Sequence, residues 1–147
     1  MKMEENMVPY VHRVQYYETD QMGIVHHSNY IRWMEEARTD FLEQAGWGYA
    51  KLEQLGVISP VLAVDCRYKE MTKFYDQIVI WVWIKELKGV RLVIGYKMAK
   101  RDNGHIVLEG ATEHCFLDRG QKPVRLKKIL PGFYQTLTEL AEKGAPA

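Results

Sequence analysis

The stretch Tyr17-Glu18-Thr19-Asp20-Gln21-Met22-Gly23-Ile24-Val25-His26-His27-Ser28-Asn29-Tyr30 concentrates side chains able to do chemistry. It sets a carboxylate, Asp20, in a glycine-containing turn just ahead of a segment with helical periodicity. A helix N-terminus presents N–H groups without intrahelical partners and the positive end of the helix dipole, which suit a developing oxyanion. A carboxylate beside it can serve as general base or as nucleophile toward a carbonyl held there. The same residue in the same place also serves simply to cap or turn the chain. Spacing alone leaves both readings open.

Other chemistries find less support. The adjacent His26 and His27 lack the spaced partners of a metal site, and no His-Glu-x-x-His occurs, so no metal is expected. Cys66 and Cys115 lie far apart in strand-like runs and form neither a disulfide framework nor a paired redox motif. There is no Gly-x-Ser-x-Gly elbow and no glycine-rich phosphate loop. His105 follows the Asp102-Asn103-Gly104 turn and is expected at the surface. His114 lies in a strand and reads as structural. Glu35 and Glu36 read as part of a polar helix face.

The positioning elements follow from periodicity. Val11 to Glu18 reads as a first strand. From Ser28 to Ala45, Tyr30, Met34, Ala37, Phe41 and Ala45 form one apolar stripe, widened by Trp33 and Leu42, with Ser28 or Asn29 as N-cap and Gly46 as the stop. A short helix, Trp47 to Leu55, ends at Gly56. Val57 to Lys69, Gln77 to Leu87, Arg91 to Lys100 and His105 to Leu117 read as four further strands in meander order, the second of them central because it is apolar on both faces. Pro131 opens a last amphipathic helix carrying Phe133, Leu137 and Leu140. The expected fold is α+β: an antiparallel sheet curled around one long helix, because the sheet is the available partner for so apolar a helix.

Length and charge bound the rest. The 147 residues suit one domain spanning the chain, and 47% hydrophobic residues argue against disorder. Twenty basic against nineteen acidic residues is not the basic excess of a nucleic-acid or membrane-surface binder. Met1 to Asn6 is polar and acidic, without the apolar core of a signal peptide. The longest apolar run, Ile78 to Ile84, is too short for a bilayer, which takes about 20 residues. A cytoplasmic protein without an integral membrane segment is expected.

The run Asp20-x-x-Gly23-x-Val25-x-His27-x-Asn29-Tyr30, preceded by Tyr17-Glu18-Thr19, resembles the signature of the hotdog-fold 4-hydroxybenzoyl-CoA thioesterase family. It looks closest to the branch of short acyl-CoA thioesterases that includes the Tol-Pal-associated enzymes. The match continues through Arg38, Phe41-Leu42, Gly46, Gly56-Val57, Pro60 and Tyr68 to Asp76, with Lys122-Pro123 compatible, and covers about residues 8 to 130. The resemblance implies a five-stranded hotdog domain that forms a homodimer or homotetramer, with active sites between subunits. An exposed sheet edge would favour pairing independently.

Carried over by position, Asp20 matches the family's catalytic carboxylate. His27 matches the residue whose backbone N–H polarises the thioester carbonyl. Gly23 would permit the turn, Asn29 would fix the loop by hydrogen bonding, and Tyr30 would begin the buried stripe. Val25, His26, Ser59 and Pro60 complete the expected substrate-binding set, with Trp33 as a further pocket wall. His26 stands where many relatives carry an aromatic residue, which bears on the acyl group accepted. The activity implied is hydrolysis of an acyl-CoA thioester to a carboxylic acid and free coenzyme A. No cofactor is implied, since coenzyme A is part of the substrate. A non-catalytic acyl-CoA or acyl-carrier binding protein is the alternative. Two basic groups, Arg119, Lys122, Arg125, Lys127 and Lys128, and Arg91, Lys97, Lys100 and Arg101, are candidates to meet the phosphates of coenzyme A, or are simply solvated loops.

Overall fold

The computed structural model describes residues 7–146, so the reading of Met1 to Asn6 lies outside the described residues. In chain order the elements are β1 (Tyr10–Arg13), α1 (Ser28–Gln44), α2 (Tyr49–Gln54), β2 (Val61–Tyr68), β3 (Gln77–Lys88), β4 (Arg91–Lys100), β5 (Ile106–His114), α3 (Leu126–Ile129) and α4 (Pro131–Lys143). The strands form one five-stranded antiparallel sheet in the order β1-β3-β4-β5-β2.

The sheet wraps α1. Trp33, Met34, Ala37, Phe41 and Leu42 of the helix share one buried cluster with Ile78, Ile80 and Ile84 of β3, with Leu92, Ile94, Tyr96 and Met98 of β4, and with Leu108 of β5. Each fully buried side chain of this size contributes about 1.5–3 kcal/mol, so this face decides the fold. Gly110 in β5 permits the close approach: a Cβ there would collide with the Asp65 carbonyl and the Met34 side chain. The helix ends as its sequence implies, with Gly46 N–H bonded to the Glu43 carbonyl and Trp47 N–H to the Leu42 carbonyl. Among the described residues, no helix is long and apolar enough to cross a membrane.

Three expectations need correction. Only β3, β4 and β5 form a meander. β2 crosses to the far edge and pairs with β5, while β1 takes the place beside β3. β3 is an interior strand between β1 and β4, as its two apolar faces imply, and the middle strand of the five is β4, buried along nearly its whole length. The first strand stops at Arg13 rather than Glu18, because the backbone turns into a single 3-10 turn at Tyr16–Glu18. Finally, the N-cap of α1 is His27 and not Ser28 or Asn29, and no side chain of the cap residue bonds the helix. The expected one-domain span of the chain is compatible with its single sheet and shared core.

β2 is the exception to the burial pattern. Val61, Leu62, Val64 and Tyr68 are each at least 40% exposed, and among the described residues no strand pairs with its outer edge.

Candidate active site

The Asp20 loop is a short excursion whose two legs are pinned together. Thr19 and Val25 form an isolated antiparallel bridge, Asp20 N–H donates to the Ile24 carbonyl, and Gly23 N–H donates back to the Asp20 carbonyl. Gly23 sits at φ +78°, the left-handed region that glycine adopts without steric cost. One carboxylate oxygen of Asp20, Oδ1, accepts from Met22 N–H at 2.8 Å. The side chain is otherwise without a partner among the described residues and only partly shielded from water.

The second leg runs straight into α1. His26 N–H donates to the Glu18 carbonyl and Asn29 N–H to the His26 carbonyl. The buried Asn29 side chain donates to the Glu18 and His26 carbonyls, at 3.0 and 3.4 Å, and so holds both legs at once. The His26 ring accepts from Ser28 N–H at 3.2 Å and contacts Ser28 Oγ at 2.8 Å. The N–H of His27, directly at the helix start, takes no partner among the described residues. Its carbonyl accepts from the Tyr68 hydroxyl at the end of β2. The rings of His26 and His27 are exposed and stack with centroids 4.3 Å apart. The result is an unpartnered N–H at the positive end of a 17-residue helix, with a carboxylate on the adjoining loop.

Glu18, read as part of the motif but given no role, is the hub of this loop. It is 4% exposed, and its carboxylate accepts from Gln15 N–H, His12 Nε2 and Trp33 Nε1 at 2.7–2.8 Å. Burial pushes its carboxyl pKa up, but the hydrogen bonds from Gln15, Trp33 and His12 outweigh that and hold it below the usual carboxylate range. His12 in turn reaches Glu36 with Nδ1 at 3.0 Å, and Tyr10 donates to the same Glu36 oxygen. Glu36 therefore serves this network as well as the polar helix face. A usable sequence signal existed: Gln15 and Glu18 stand at capping-box spacing inside a run that otherwise reads as strand.

Thr72 is a second unforeseen support. Its carbonyl accepts from Val25 N–H and its hydroxyl bonds Tyr30 at 2.7 Å, with Thr72 wholly buried. Tyr30 begins the buried stripe. Trp33, by contrast, is fully buried against His12 and Tyr30 and so lines no pocket in this chain, because Glu18 draws its N–H inward.

Asp20, Gly23, Val25, His26, His27, Asn29 and Tyr30 come together at one end of the sheet. Ser59 and Pro60 do not join them within one chain. They precede β2, whereas Tyr68, the residue that touches His27, ends it. Eight strand residues separate the two ends by about 25 Å.

That opposite end carries its own buried chain of polar groups. Arg38 of α1 donates to the hydroxyls of Tyr49 and Tyr96, Tyr96 bonds Thr112 at 2.6 Å, and Thr112 bonds His114 Nε2 at 2.8 Å. His114 is completely buried. Its Nδ1 faces the Ser59 and Pro60 carbonyls without forming a hydrogen bond of good geometry.

A five-stranded antiparallel sheet wrapped around one long helix is the hotdog arrangement of thioester-hydrolysing enzymes. The chain belongs to the thioesterase-like superfamily, whose pattern it matches over residues 14–137. Over 131 residues it is 35% identical to the "Putative acyl-CoA thioesterase YneP" of Bacillus subtilis, covering 88% of this chain and 94% of that one. It is 27% identical to the acyl-CoA thioesterase YbgC of Haemophilus influenzae over 139 residues, 92% of this chain and 99% of that one. Among solved structures, the DHNA-CoA thioesterase of Staphylococcus aureus superposes with a TM-score of 0.87 at 28% identity, covering 95% of this chain and 96% of that one.

Proposed function

We propose that this enzyme hydrolyses an acyl-CoA thioester to a carboxylic acid and free coenzyme A. The observation that carries the reading is the unpartnered His27 N–H at the start of α1, beside the Asp20 loop. The thioester oxygen accepts from that N–H, and the helix dipole favours the charge that develops on it. On the nucleophilic route, an Asp20 oxygen attacks the carbonyl carbon and the C–S bond breaks. The thiolate leaves and takes a proton, and water then cleaves the acyl–aspartyl anhydride to regenerate Asp20. On the general-base route, Asp20 takes a proton from the water that attacks. Neither route needs a metal or redox cofactor; coenzyme A enters as part of the substrate.

The working unit of this proposal is a dimer joined along the outer edge of β2. An uncovered strand with Val61, Leu62, Val64 and Tyr68 exposed is a ready template for pairing. Antiparallel pairing of two such edges would bring Ser59 and Pro60 of one subunit alongside the Tyr68–His27 end of the other. Val25, His26, Asn29 and Tyr30 would then form the site together with those residues. Two dimers would build the expected tetramer, with the cytoplasm as the proposed setting.

The test is a thiol-release assay over short, long, aromatic and hydroxylated acyl-CoAs, run beside Asp20→Asn. The substitution keeps the shape and removes the charge, and turnover is expected to fall about 10²-fold or more. Near-normal turnover in a folded Asp20→Asn protein would remove Asp20 from the chemistry. Acyl-CoA binding without any thiol release would favour a non-catalytic binding protein.

A further inference from the structure

We propose that the groove between the β3–β4 turn and the α3–α4 segment binds the phosphorylated nucleotide end of coenzyme A. The proposal rests on the acyl-CoA reading above and assigns the part of the substrate farthest from the thioester. Gly89, Arg125, Lys127, Lys128 and Tyr134 line a groove of about 350 Å³.

The structure separates the two basic groups of the sequence. In the strand group, Arg91 is paired with Glu86 and Glu113, Lys100 is paired with Glu70, and Arg101 donates to the Gln77 side chain. Lys97 lies over the Trp81 ring. In the late group, Arg119 donates to the Gln54 carbonyl. Arg125, Lys127 and Lys128 instead stand exposed around one groove, and none pairs with an acidic side chain of the described residues. The net charge of the whole chain is only +1, so this local excess is a matter of placement. Three unneutralised cations on one groove repel one another until an anion joins them.

The chemistry of the set suits phosphate. A guanidinium offers forked donors to phosphate oxygens, and two ammonium groups add point charges. Tyr134, part-buried against the core, adds an aromatic side chain to the groove wall.

The location suits it as well. Lys88 pairs with Arg91, Leu92 with His114 and Val61 with His114, so the groove lies at the Ser59–Pro60 end of the sheet. In the proposed dimer that end meets the partner's Tyr68–His27 end. Crossing from the β3–β4 turn to β2 spans about 15 Å at the usual strand spacing. The extended pantetheine arm of coenzyme A separates its phosphates from its thioester in the same manner.

Two measurements on Arg125→Gln/Lys127→Gln/Lys128→Gln test this. The first is calorimetric binding of coenzyme A and of 3′-phospho-ADP to the intact protein, which needs no turnover and so stands apart from the fate of the thioesterase reading. Affinity for both is expected to fall about tenfold or more in the variant, with an unchanged circular dichroism spectrum. The second compares one acyl group carried on coenzyme A and on N-acetylcysteamine. The preference for the CoA ester is expected to shrink by a similar factor through KM, with kcat for it retained. Wild-type binding that is undetectable, or CoA affinity and preference unchanged in the variant, would overturn the proposal. Equal displacement of both ligands by sulfate at matching concentration would do so too, since it would reduce the groove to a general anion site.

Discussion

Two buried polar networks occupy opposite ends of α1, and they differ in what they leave free. At the helix start, Glu18, Asn29, Thr72 and His12 hold the Asp20 loop with hydrogen bonds from neighbouring elements. The His27 N–H and most of the Asp20 carboxylate remain open. Toward the other end, Arg38 donates to the Tyr96 hydroxyl, which bonds Thr112, which in turn bonds His114 Nε2. The first network is a scaffold that leaves a helix-start N–H and a carboxylate open. The second is closed apart from the buried His114 Nδ1, which has no hydrogen-bond partner among the described residues. Each can be broken without the other, which tests the proposal that the chemistry belongs to the first.

The largest effect is expected from Asp20→Asn, the open group itself: about 10²-fold or more in turnover, with the midpoint of urea unfolding unmoved. The Asp20 carboxylate accepts one hydrogen bond among the described residues, which the Asn oxygen can retain. A large loss of stability instead would mean that Asp20 is a turn residue after all.

Next is the response to acid, which belongs to the second network. Burial, then the nearby Arg38 cation, push the His114 imidazole from 6.5 down to about 4. The unfolded chain therefore binds this proton at a higher pH than the native one. The stability contribution is complete above about pH 6.5 and is lost as pH falls toward 4, amounting to about 3 kcal/mol. The depressed Glu18 carboxyl adds a loss of the same sign as pH falls through its folded value. Urea unfolding across this range measures the slope. His114→Gln keeps a neutral polar side chain beside Thr112 and removes the titrating ring, so it should flatten the acid limb. An unchanged limb would clear His114 of the effect.

What the sequence disclosed and what it concealed follow the same physical division. The 3.6-residue stripe fixed α1 to within a residue of its C-terminal end, and Asp102-Asn103-Gly104 correctly announced the β4–β5 hairpin. These are local signals. Strand order is not local: β2 looks as apolar as β3, and only the competition for neighbours sends it to an edge where its side chains stay exposed. Glu18 was concealed because its role depends on His12 and Trp33 arriving from separate elements. The loop motif itself was legible from Asp20 to Tyr30. The distance between Ser59 and that loop was not, since it depends on where β2 runs.

Glu18→Gln should break the scaffold while leaving Asp20 and His27 chemically intact. The amide has one acceptor oxygen, so its NH₂ must meet a donor from Trp33, His12 or Gln15. Leaving such a buried group unsatisfied costs about 1–3 kcal/mol. Because the same residue holds the Asp20 loop, kcat is expected to fall about tenfold through misplacement of the carboxylate. Both readouts should move together, measured well below the variant's unfolding temperature. A stability loss with kcat untouched would detach Glu18 from the active loop.

The smallest effect, and the sharpest contrast, is Tyr96→Phe. It removes the hydroxyl that links Arg38 to Thr112, and it leaves the volume of β4's inward face unchanged. Arg38 keeps Tyr49 as a partner and Thr112 keeps His114, so only part of the network is lost and about 1 kcal/mol of stability should go with it. No atom of the Asp20 loop or the His27 peptide depends on Tyr96, so kcat and KM should stay within twofold of the parent. If turnover instead followed stability here as it does in Glu18→Gln, the two ends of α1 would be energetically coupled. The separation between scaffolded chemistry at one end and inert packing at the other would then fail.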